Sequence, residues 1–224
     1  MNSEAGKVET AGIPAHEKVY RDLRDAILFG EFKPGEPLTI QGLVAKLEAG
    51  MTPVREALRR LTAEGALQAL GNRRIMVPVL DLPAVSELTE ARLALEPILA
   101  KRAVLRVSDE EISELATIDA RLDEAIERGD VPLYLKENHT FHGALNSIAD
   151  APILTSMVDG LWLRFGPSLR IVCGQFGTRN LPDRHKELLN ALQAKDAEAT
   201  AQAMREDVVQ GMDLIRQSIL PDQD

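Results

Sequence analysis

The chain has 224 residues, 45% hydrophobic and 27% charged, with a formal net charge of −9, which fits a globular protein of one large or two small domains. Its single cysteine, Cys173, excludes an intrachain disulfide, and no uncharged apolar run is long enough to cross a bilayer. The opening MNSEAGKVET lacks the apolar core of a secretion signal, so the expected location is the cytoplasm.

Residues 1–14 have no apolar period and read as a flexible arm. Val19, Leu23, Ala26 and Ile27 then recur at helical spacing, with Gly30 placed as a C-terminal cap. Lys33-Pro34-Gly35 is a turn, and Thr39 caps a short second helix carrying Ile40, Leu43, Val44 and Leu47. A third helix is expected with Thr52 as its N-cap, Pro53 as its first residue and Val54, Ala57, Leu58 and Leu61 as its apolar stripe, ending near Gly65. Two short apolar runs, 66–70 and 75–80, flank a hairpin turn, Gly71-Asn72-Arg73-Arg74. From Leu82 onward the pattern is helical, with breaks expected near 107–108, 129–132, 150–152, 174–177 and 195–196 and a kink at Pro97.

The expected fold is mainly α. An N-terminal winged helix-turn-helix with a two-stranded wing occupies 15–80, an all-α helical bundle occupies 81–218, and 219–224 is a tail. Charge divides at the same place. Residues 16–76 carry ten Lys and Arg against eight Asp and Glu, while residues 77–224 carry 15 against 25. A mildly basic head on an acidic body suits a protein that offers one end to phosphate, although ordinary scatter of surface charge would also produce it.

In the third helix, Thr52, Arg55 and Arg59 share an outward face. Glu56, Arg60 and Glu64 lie four apart on a neighbouring face and can pair with each other, which leaves Arg55 and Arg59 for another partner or for solvent. The stretches VYRDLRDAILFGEFKPGEPL, MTPVREALRRLTAEGAL and GNRRIMVPV resemble the DNA-binding domain of the GntR family of bacterial regulators. The resemblance implies that Thr52 and Arg55 touch DNA and that Gly71, Asn72 and Arg73 sit in the wing near the minor groove or backbone. Two positions depart from the family pattern. Met51 stands where an Arg is usual, and Gln41 where an Arg or Glu is usual, so an altered operator preference is expected.

Four histidines occur in the chain, three of them in the body. Asn138 and His142 lie one turn apart on a helix over 136–148, and Asn146 continues their stripe. His185 opens a later helix, and Asp207 lies on the last one. A bundle can gather such side chains around one ion. ARLALEPILAKRA, ENHTFHGALNSIADAPIL and DRHKELLNALQAKDAEATAQAMREDV resemble the FCD effector-binding domain of the FadR subfamily. Many such domains hold a divalent metal through one Asp and three His. Here Asn138 stands at the Asp position, His142 and His185 at two His positions and Asp207 at the last. That set suits Zn, Ni or Mn. The two histidines could instead line a metal-free pocket and bond an effector directly. The resemblance also implies that Arg92 meets an anionic effector, whereas spacing alone allows an Arg92–Glu96 pair within one helix. His139, one residue off the stripe, is expected to face solvent or a neighbouring helix, and Trp162 and Phe165 to be core or dimer contacts.

The expected function is a homodimeric regulator, more usually a repressor, that binds double-stranded operator DNA under control of an organic-acid effector. Two rivals are a metal-dependent enzyme using His142, His185 and Asp207, and a module whose helices only dimerise.

Overall fold

The computed structural model describes residues 14–71, 74–177 and 184–220. The head opens with α1 (Ala15–Leu28), which buries Val19, Leu23, Ala26 and Ile27 along one stripe. β1 (Pro37–Leu38) leads into α2 (Ile40–Lys46), where the Thr39 hydroxyl accepts the Gly42 N–H at 3.1 Å. α3 (Met51–Ala63) turns Val54, Ala57, Leu58 and Leu61 inward. It starts earlier than its sequence suggests, with Gly50 rather than Thr52 at the cap and no side-chain cap bond. Pro53 permits this because it lies in the first turn, where N–H groups have no helical acceptor. The first bond of the helix runs from Val54 N to Gly50 O.

β2 (Gln68–Leu70) and β3 (Arg74–Met76) form the expected hairpin, but β1 joins them in an antiparallel sheet of order β1-β3-β2. The wing sheet therefore has three strands, not two. β1 is two residues long, too short for an alternating pattern to announce it, and it becomes a strand by pairing Leu38 with Ile75. Pro37 is tolerated because β1 is an edge strand. Asn72 and Arg73, the expected wing contacts, lie outside the described residues, as do residues 1–13 of the expected arm and 221–224 of the expected tail.

The body holds α4 (Leu82–Val104), α5 (Asp109–Arg128), α6 (Val131–Ile148), α7 (Pro152–Phe176), α8 (His185–Gln193) and α9 (Ala197–Ile219). Each predicted break coincides with the end of one of these helices, and α4 continues as a helix through Pro97. The caps are local. Asp81 accepts the Ala84 N–H, and Ser108 and Glu111 form a reciprocal capping box. α4 lies along α9, α5 packs on α6 and α8, and α7 touches α4, α6 and α9. α7 also carries the head, because α1 rests on it. A Cβ on Gly166 would stand 2.5 Å from the Leu28 carbonyl oxygen, so only glycine lets the two helices meet there. Among the described residues no helix is long and apolar enough to cross a membrane.

Candidate functional site

The outer face of α3 leaves cations unspent. Thr52, Arg55 and Arg59 are exposed, and among the described residues neither arginine has an ion-pair partner. Arg60 is different. It pairs with Glu64 at 3.2 Å and Glu17 at 3.1 Å, and its guanidinium lies 3.5 Å from the centre of the Tyr20 ring. The Tyr20 hydroxyl donates to Glu64, which ties α1 to the end of α3. Arg60 therefore fixes the head internally while Arg55 and Arg59 remain available. Gln41, Met51 and Arg55 line one groove of about 580 Å³ together with Arg74 from β3. Met51 is 51% exposed there, and Gly71 is exposed at the hairpin. Arg74 joins this groove beyond the expected contacts, and its place beside the cationic hairpin turn is the sequence signal for it.

The body encloses a second site. His142 comes from α6, His185 from the start of α8 and Asp207 from α9, and each offers an atom within 4.8 Å of the others. His142 Nε2 lies 3.2 Å from Asp207 Oδ2, and His185 Nε2 lies 4.0 Å from Asp207 Oδ1. Both imidazoles turn their other nitrogen toward a buried carboxylate. His142 Nδ1 is 3.5 Å from Glu96 Oε2, and His185 Nδ1 is 3.3 Å from Asp119 Oδ1. Asn138 lines the same cavity one turn before His142. Asn146 is buried but does not line it.

Glu96 and Asp119 could have been read from sequence as acids standing on apolar stripes. Glu96 shares α4 with buried Val85, Leu88, Leu99 and Ala103, and Asp119 shares α5 with Leu115 and Leu122. Trp162 and Phe165 are core residues, as expected, but they also line the cavity.

Charge in this site is crowded. Arg92, 3% exposed, gives Nε to Glu96 Oε1 at 2.5 Å and Nη2 to Oε2 at 3.2 Å. Its guanidinium also lies 4.3 Å from the Phe165 ring centre and 5.1 Å from that of Trp162. The helix-internal pair that spacing allowed is thus formed, and Arg92 lines the cavity while engaged in it. Three carboxylates, Glu96, Asp119 and Asp207, stand around the two imidazoles where Arg92 is the buried guanidinium, with the half-exposed Lys186 reaching Asp119 at 3.8 Å. Negative charge is in excess, and a cation or protonated imidazole would balance it.

Burial opposes protonation of His142, but Asp207 and Glu96 overcome it and push the imidazole up to about 9. Burial likewise resists ionisation of Asp207, yet His142 holds that carboxyl at about 2. A proton and a metal ion would thus compete for the same nitrogen. Cys173 also lines the cavity, but burial pushes its thiol up to about 12, so it offers no thiolate. The space open to water centres is about 40 Å³, enough for an ion and a water or two.

Comparison with known proteins matches each part of the chain to a known family. Residues 15–77 match the family described as bacterial regulatory proteins, gntR family, and residues 87–210 match the FCD domain. The HTH-type transcriptional regulator McbR of Escherichia coli K12 is 30% identical over 203 residues, covering 89% of this chain and 92% of McbR. The E. coli McbR/YncC structure superposes with a TM-score of 0.86 at 29% identity, covering 92% of this chain and 98% of that one. The HTH-type transcriptional repressor RspR of the same strain is 25% identical over 208 residues, covering 91% of this chain and 90% of RspR.

A winged helix-turn-helix joined to a helical sensor-type domain defines a DNA-binding transcriptional regulator. The chain belongs to the GntR family, in its FCD-containing form. It is a regulator and not the metal-dependent enzyme that a His-His-Asp set alone would also allow.

Proposed function

We propose that the chain is a homodimeric repressor whose grip on double-stranded operator DNA is controlled by a small carboxylate metabolite and a divalent metal, Zn, Ni or Mn, in the body cavity. Gln41, Met51, Thr52, Arg55, Arg59, Gly71, Asn72 and Arg73 are the proposed DNA contacts, and Asn138, His142, His185 and Asp207 the proposed ligands. Two heads related by a twofold axis suit a pseudo-palindromic operator. A relative named as a transcriptional repressor supports the sign of regulation.

The observation that carries the metal reading is the paired carboxylate–histidine arrangement. Glu96 stands behind His142 and Asp119 behind His185, while both Nε2 atoms face Asp207. Carboxylates behind the imidazoles are how metal-ligating histidines are oriented. Ligand bonds of about 2.0–2.2 Å would draw the set inward slightly. The ion would supply a fixed positive charge to which an effector carboxylate can bind. An effector of that kind would also compete with Glu96 for Arg92, and the small cavity would have to widen to admit it.

One observation favours a metal-free reading. The 3.2 Å His142–Asp207 contact is already a satisfactory ion pair. Metal analysis of tag-free protein purified without chelator separates the two. About one equivalent per chain, lost in His142→Ala and Asp207→Ala, is the expected result. Less than about a tenth of an equivalent, with no uptake on adding metal, would end the metal reading.

A further inference from the structure

The head and the cavity meet at α7. Gly166 receives the end of α1 without an intervening side chain, and Gly30, at φ 68°, lies against Arg170 of α7. One turn before Gly166, α7 presents Trp162 to the cavity. The Trp162 ring centre is 5.0 Å from that of His142. It also meets the half-buried His139 edge to face, at 5.2 Å and 80°. His139 in turn meets Phe29 at 5.8 Å and 81°. Phe29 is the C-cap of α1, where its N–H donates to Asp25 O. Consecutive ring contacts thus run from His142 in the cavity to the last turn of the head's first helix.

The far end of that path reaches α3. α1 packs against α3, and the Tyr20–Glu64 bond holds the two together, so a tilt of α1 carries the recognition helix with it. At the near end, Trp162 is 4% exposed and its indole N–H has no hydrogen-bond partner among the described residues. No polar bond anchors the ring, and its place is set by the groups packed on it. A buried unpaired donor is costly, so the ring gains by turning toward any acceptor that enters the cavity it lines.

We propose that Trp162, His139 and Phe29 are positioning residues that transmit the occupancy of the body cavity to the DNA-binding head. This rests on the reading that the cavity holds the controlling ligand. His139 is the junction of the path. It is neither one of the proposed DNA contacts nor a member of the His142–Asp207 pair, yet it joins Trp162 of α7, which lines the cavity, to Phe29 at the end of α1 in the head. By reciprocity, whatever the cavity does to the head, DNA bound to the head must do to the cavity.

That reciprocity gives a test that needs no effector. Trp162 is the single tryptophan of the chain, so its emission reports the junction without a label. The probe is a duplex selected from a random library for tight binding to the full-length wild-type protein. Saturating duplex is expected to shift Trp162 emission in wild type. His139→Ala and Phe29→Leu should remove that shift while keeping the Kd for the duplex within about threefold of wild type. Circular dichroism and melting check the fold, and Phe29→Leu, which keeps an apolar side chain, carries the test should His139→Ala fail to fold. Unchanged wild-type emission, or the same shift in both variants, overturns the proposal. A parallel arm adds zinc alone. Where zinc alters the wild-type Kd, His139→Ala should return the ratio to about one while still taking up the ion. Zinc uptake is scored separately: its absence sinks the metal reading, and the duplex-induced shift still decides the relay.

Discussion

Arg55 and Arg92 are the same side chain put to opposite uses. On α3, Arg55 is exposed and has no ion-pair partner among the described residues, so its charge awaits a partner from outside. On α4, Arg92 is buried, doubly bonded to Glu96 and covered by two aromatic rings. The head keeps its charge unsatisfied at modest energetic cost because water solvates it. The body cannot leave a charge unmatched, because removing one partner of a buried pair exposes the whole desolvation cost of the other. Head residues should therefore govern binding with little effect on folding, and cavity residues should govern folding as much as sensing.

The largest expected effect is on the body. Glu96→Ala should lower unfolding free energy by about 3–5 kcal/mol in urea titrations, since Arg92 is left buried and unpaired. A loss under about 1 kcal/mol would mean that the cavity tolerates free charge as the head does.

Next comes pH. In metal-free protein the folded-state affinity of His142 for its proton is raised to about 9 from an ordinary 6.5. Its contribution is therefore fully present below pH 6.5 and is lost as pH rises through 9. The size is about 3.5 kcal/mol at most, taking 1.4 kcal/mol per unit. His139 has the opposite sign. Burial first, then the charges of Arg24 and His142, lower it to about 4. The unfolded chain takes up that proton first, so stability should fall as pH drops from 6.5 toward 4. Melting curves of metal-free His142→Gln and His139→Gln should lose the alkaline and acid slopes respectively. A variant that keeps its slope refutes the assignment.

Binding effects are of similar or smaller size. Arg55→Ala should weaken operator binding by about 1–3 kcal/mol, roughly fivefold to 150-fold, with the melting temperature unchanged. If Arg59 instead contacts phosphate, Arg59→Ala should reduce the slope of log K against log salt by about one. Anisotropy titrations at several salt concentrations read both, and loss of fold in either variant would contradict the contrast. Smallest in energy is Met51→Arg, which should change which bases are preferred more than how tightly DNA is held. Identical preferred sequences for wild type and variant across a randomised operator library would remove Met51 from the specificity argument.

How much of this was legible in advance depended on the range of the interaction. The helix spans, the breaks at 107–108, 129–132 and 195–196 and the Thr39 cap follow from neighbours three or four residues away, and the chain states them directly. A bundle could gather His142, His185 and Asp207 around one ion, but the resemblance to the FCD domain is what singles them out as one candidate set. Wherever partners meet across elements, periodicity had nothing to say. β1 becomes a strand through β3, and Arg74 reaches the groove beside Arg55 through the hairpin. Glu96 and Asp119 come to stand behind the imidazoles because helices pack at heights and angles that no single helix encodes. The sequence by itself determined a DNA-reading head and a histidine-bearing helical body. Tertiary structure decided which charges each of them leaves open and which it closes, since burial and cross-element contact, not spacing, set the cost of an unpaired charge.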